Sequence, residues 1–178
     1  MASRFSLLPD LIDSVVAGLR ATSGFRAPSS SASGITVYDG PEWIGGQATD
    51  PDGYVIIGYG GENLERRGVG DDPNPQRLES QIRSISPAAL KEQDVELPCV
   101  AFAWSGGSDM SATRLQAFAI VDLVEAWLTA NPRAGVATGS GGTQVLWAKL
   151  TGSHSLSQYT ESGVRAVVEF TITAKTRT

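Results

Sequence analysis

The chain has 178 residues, a formal net charge of −5 and a sequence pI near 4.8, with 41% hydrophobic and 19% charged residues. That composition belongs to an ordinary folded domain, and it excludes both a disordered chain and a membrane-spanning one, since no apolar run reaches the ~18 residues a bilayer requires. The basic residues are scattered rather than gathered into the stripe that grips a phosphate backbone, which argues against specific nucleic-acid binding. Cys99 is the single cysteine, so an internal disulfide is excluded, and its place in the apolar run VELPCVAFAW predicts a buried, inert thiol.

At the N-terminus, Leu8, Leu11, Ile12, Val15 and Leu19 recur at helical spacing, with Pro9 and Asp10 suited to a first turn and Gly24 to the end. Asp10 and Asp13 interrupt this stretch and no cleavage-site pattern follows, so it is not read as a signal peptide. The small polar APSSSASG that comes next reads as a flexible connector. Helix and connector, residues 1–34, are expected to form an arm packed on a body that begins near Ile35, within a single α+β domain spanning 1–178.

GITVYDGPEW and DPDGYVIIGYGG each show a β-branched or aromatic run closed by Gly, Pro and Asp, the pattern of a strand between turns. From Glu62 to Glu96 the sequence is polar, holds three prolines and shows no sustained period, and it reads as one long loop. LPCVAFAWSGG is a nearly continuous apolar strand, which predicts burial on both faces. The helix that follows has Ser108, Asp109 or Ser111 as its cap and Asn131-Pro132 as its stop; Arg114, Asp122, Glu125 and Thr129 form its polar stripe, so burial on most sides is expected. TQVLWAKLTG reads as a strand, and the polar TGSHSLSQ beyond it as a turn holding the only histidine, His154. In VRAVVEFTITAK, Val164, Ala166, Val168, Phe170, Ile172 and Ala174 alternate with mostly polar neighbours, the period of a half-buried strand. The order predicts α+β: a mostly antiparallel sheet with the N-terminal helix and one long central helix on one face.

No candidate chemistry survives close reading. Gly58, Gly60 and Gly61 give GxGG rather than a dinucleotide fingerprint, and the polar ENLERRGVGDDPNPQR follows where a phosphate-binding helix would have to start. GSGGT at Gly139 to Thr143 reads as a hairpin turn. His154 with Ser153 or Ser155 lacks the nucleophile elbow, and one His with one Cys cannot build a zinc cluster. Asp50 and Asp52, and Asp71 and Asp72, follow no calcium-loop pattern and fit turn chemistry. The reading has no catalytic, cofactor or metal residue and no enzyme activity.

What the chain resembles is an arrangement. VYDGP, the YVIIGYGG strand and the GVRAVVEFTITA ending, in the order helix, linker, strands, long loop, strand, capped helix and two strands, resemble the tail-terminator proteins of long-tailed, siphovirus-type bacteriophages, those of actinobacteria in particular. The likeness runs from about Phe5 to Thr176. It implies a structural virion protein of the tail's neck region, assembled in the host cytoplasm. Such a protein forms a ring, typically a hexamer, on the head-proximal end of the tail tube; it stops tube polymerisation and meets the head-completion, or stopper, protein. It implies no cofactor, no membrane partner, and DNA passing through the lumen without specific binding. Another neck or connector protein is the runner-up. A tube subunit fits less well, because it is expected to carry a long strand hairpin, and a small hydrolase or nucleotide-binding domain is the alternative from a different class.

Overall fold

The computed structural model describes residues 7–28, 30, 31, 33–40, 53–59, 80–83, 92–137, 144–160 and 163–177. Helix α1 (Leu8–Arg20) forms where the apolar spacing predicts it, with Pro9 in its first turn, Asp10 complementing the N-terminal end of its dipole and Arg20 the C-terminal end. Leu11, Val15 and Leu19 are fully buried along one side. The helix is therefore part of the core, not an arm laid over it. Arg20 fastens its end to the sheet, donating from Nε and Nη2 to the carbonyl of Val37 at 3.1 and 2.8 Å.

A two-residue strand, β1 (Phe25–Arg26), follows at once, and its parallel partner is β2 (Ile35–Asp39). The serine-rich segment between them is more tied down than its composition implies. Arg26 donates to the carbonyls of Gly34 and Ser30, both at 2.8 Å, and the Ile35 amide reaches Gly24 at 2.8 Å. One guanidinium thus supplies the ordering that Ser and Ala side chains cannot.

Strand β3 (Tyr54–Ile57) lies parallel to β2 and is buried throughout. Gly58 leaves it at φ +81°, a conformation that favours glycine, so the chain turns out of the sheet there. The expected long loop is not structureless. It contains β4 (Ser80–Arg83), paired antiparallel to β5 (Glu92–Ser105), and β5 itself starts five residues before the apolar run. Glu92, Asp94 and Glu96 hide that start, because they place charge on every second residue while Gln93 is buried and Val95 and Leu97 join the core. The remainder of the expected loop lies outside the described residues.

Helix α2 (Met110–Ala130) is capped by Asp109, whose carboxylate accepts the Ala112 amide at 2.9 Å, and it ends at Asn131. Burial on most sides does not occur. Thr113, Ala117, Ile120, Val121, Val124, Trp127 and Leu128 face inward, whereas Leu115 is 68% and Leu123 39% exposed. Strands β6 (Gln144–Thr160) and β7 (Gly163–Arg177) complete the fold as a long antiparallel hairpin. Here the polar-turn expectation fails: Thr151 to Gln158 continue as strand, with His154 opposite Glu169. Ser153, Ser155 and Ser157 alternate with His154, Leu156 and Gln158, so neither set is apolar enough to reveal a period of two.

The sheet order is β1-β2-β3-β5-β7-β6, with β4 beside β5, and it is antiparallel except at β1-β2 and β2-β3. Both helices lie on one face, as the α+β reading expects. Val37, Val55, Ile57, Val95, Leu97, Cys99, Ala101, Val168, Phe170 and Ile172 meet them in the main core. Gly18 admits a close approach of the Trp127 ring from α2 to α1. A Cβ there would stand 2.1 Å from the Trp127 ring, so only hydrogen lets α1 and α2 close together. At the other end of the sheet, Gly163 has φ +140°, and a Cβ on it would meet the Ser105 carbonyl at 2.2 Å.

Candidate interaction surface

The second face of the sheet carries no described helix, and it divides along its length. Alternation places Tyr38, Tyr54, Ile56, Val100, Phe102 and Val167 on this face at one end, where they form a second apolar cluster with Tyr59 and the half-buried Trp104. Tyr54 stacks on Phe102 with centroids 4.5 Å apart, and Tyr38 meets Tyr54 edge-on at 5.8 Å. This explains the double-sided burial of Cys99 to Ala103: helices lie on one side and aromatics on the other.

The other end is a charged and hydroxyl-bearing ladder. Cross-strand rows run Gln144–Arg177–Glu92, Trp147–Lys175–Asp94, Lys149–Thr173–Glu96 and Thr151–Thr171–Pro98 over β6, β7 and β5. Glu92 accepts from Arg177 at 2.7 Å and pairs with Lys175 at 2.9 Å. Hydrogen bonds from Arg177 first and Lys175 second hold its carboxyl below the usual glutamate range. The Thr151 and Thr173 hydroxyls meet at 2.6 Å, and the Lys149 ammonium sits 5.3 Å from the centroid of the exposed Trp147 ring. A tryptophan that is 36% exposed beside a lysine is a common anchor at protein contacts.

Only some of the residues weighed for chemistry lie among the described residues. Cys99 is fully buried and its thiol is pushed up to about 12 by desolvation, which removes it as a nucleophile. His154 and Ser155 occupy β6 opposite Glu169 and Val168. Gly60 and Gly61, Gly139 to Thr143, and Asp50, Asp52, Asp71 and Asp72 lie outside the described residues. Among the described residues no group of three or more His, Cys, Asp or Glu side chains is placed to hold a metal ion. No described helix is long and apolar enough to cross a membrane.

Two features of this surface escaped the sequence. Leu115 and Leu123 face outward on a helix whose composition predicts burial on most sides, and nothing in TQVLWAKLTG marks the Trp147–Lys149 pair as exposed. Their spacing was legible, but exposure depends on which side the sheet lies.

No family model matches the chain, and no curated protein matches it either. Among solved structures, the fold is shared with a chain of the virion of a native gene transfer agent particle. That chain is 13% identical, with a TM-score of 0.57 over 98% of the present chain and 100% of the other.

Proposed function

We propose that this chain is a structural virion protein, non-enzymatic, that forms a ring on the head-proximal end of a phage tail tube. The observation that supports the reading is the fold likeness to a chain of a virion particle, which covers 98% of this chain and 100% of the other. The resemblance of the VYDGP, YVIIGYGG and GVRAVVEFTITA segments to tail terminators supplies the finer role.

In this role the mechanism is geometric. One ring face copies the contact that a tube subunit would make, so the ring docks on the growing end. The other face lacks that contact, so growth stops and the head-completion protein binds there instead. The partners are further copies of the chain, the tube protein and the stopper. The net charge of −5 keeps the lumen from holding on to DNA, because like charges repel.

The β6–β7 hairpin favours a second reading. Strands of 17 and 15 residues are the feature expected of a tube subunit, which the sequence did not reveal. Electron microscopy of the purified chain mixed with tail tubes separates the two. A terminator gives a single ring on one tube end and shortens further polymerisation; a tube subunit lengthens the tube. Tubes with unchanged ends and unchanged length would refute both.

A further inference from the structure

The three large hydrophobic side chains exposed among the described residues lie on opposite layers of the molecule: Leu115 and Leu123 on the outside of α2, Trp147 on the helix-free face of β6. A contact between two copies of one patch covers only one of these layers. A head-to-tail contact covers both at once. We propose that α2 of one copy lies on the Trp147 end of the sheet face of the next copy, so that each subunit offers its helix to one neighbour and its sheet to the other. The proposal rests on the ring reading and names the surfaces that build the ring.

Charge and spacing select this pairing. On the sheet, Lys149 and Glu96 flank Thr173 in one row, which places opposite charges two strand spacings, about 10 Å, apart. On α2, Arg114 and Asp122 are eight residues apart, about 12 Å along the axis. A helix laid across the strands brings Asp122 to Lys149 and Arg114 to Glu96. Leu123, next to Asp122, then falls against Trp147, next but one to Lys149. Asp122, Glu125 and Lys149 have no ion-pair partner among the described residues, so each has charge left to meet a second chain. Ala119 and Ala126, both exposed on the same side of the helix, let its backbone approach the sheet closely. A head-to-tail contact of this kind repeats, and it closes into a ring when its rotation divides a full turn.

The test uses full-length chains and a short bis-maleimide reagent, with Cys99 silent because it is buried. Leu123→Cys and Trp147→Cys are made separately, then mixed, both free and on tail tubes. The expected result is a cross-linked dimer from the mixture, none from either variant alone, and a ladder of multimers from the double variant. Cross-linking of Leu123→Cys with itself would overturn the proposal in favour of a two-fold helix pair, and Trp147→Cys with itself in favour of a two-fold sheet contact. A ring visible by microscopy without any cross-link refutes the interface while leaving the ring reading intact; absence of any ring, free or on tubes, refutes both. A charge swap gives a second readout. Lys149→Glu is expected to weaken self-association at least tenfold, and adding Asp122→Lys to restore it; an unchanged assembly in Lys149→Glu overturns the proposal.

Discussion

The two faces of one sheet are made from the same strands, residue by alternate residue, yet they differ in what covers them. On the helix side, β7 buries Val164, Ala166, Val168, Phe170, Ile172 and Ala174, and all but Val164 join the main core with the helices. On the other side the same strand shows Arg165, Glu169, Thr171, Thr173, Lys175 and Arg177, each half-buried, with only Val167 joining the aromatic cluster. Along β7 a period of two therefore separates residues of the main core from residues that stay partly exposed, some of which the proposed ring contact would use. Changes in the main core should cost the most stability, and changes at the exposed Trp147 end of the second face should cost the proposed assembly more than stability.

The largest expected effect comes from breaking the helix side. Trp127→Ala removes a ring packed between α1, α2 and the segment after α2, and a destabilisation of about 3–5 kcal/mol is expected in a denaturant titration. Gly18→Ala sharpens the same point by its sign. Helix propensity alone favours alanine by about 1 kcal/mol, but the new methyl would overlap the Trp127 ring, so a net loss of about 1–3 kcal/mol is expected. Pairing it with a smaller residue at 127 should recover part of that loss.

Asp109→Ala acts at the entrance to α2, where the lost cap costs about 1 kcal/mol. The smallest effect belongs to the charged ladder. Glu92 has its folded pKa depressed, so its ion pairs stabilise the fold above its ordinary value of 4.5 and that contribution is lost as pH falls through the folded value. Wild type and Glu92→Gln should therefore differ slightly at neutral pH and converge in acid. Added salt should also narrow the gap, because Lys175 and Arg177 are about one-third exposed.

How much of this was legible follows from the same division. The periodicity of α1, the Asp109 cap, the Asn131-Pro132 stop and the alternation of β7 are local signals, and the structure keeps each of them. Where polar residues sit on both sides of a strand, as in Thr151 to Gln158, no local signal exists; pairing with β7 makes the strand. β4 and the early start of β5 depend on each other in the same way. The connector misled for a different reason, since its order comes from Arg26, outside the serine-rich stretch. The exposed apolar residues were the least visible part. Leu115 and Leu123 have the spacing of core residues, and only the three-dimensional position of the sheet turns them outward.

The most direct measurement sets stability against assembly in one variant. Trp147→Glu places a carboxylate beside Lys149 on the face of β6 opposite the main core. The expected result is an unfolding midpoint close to that of the wild type, together with loss of the proposed ring on tail tubes by electron microscopy. A variant that unfolds easily, or one that still caps tubes normally, would contradict the division of labour between the two faces.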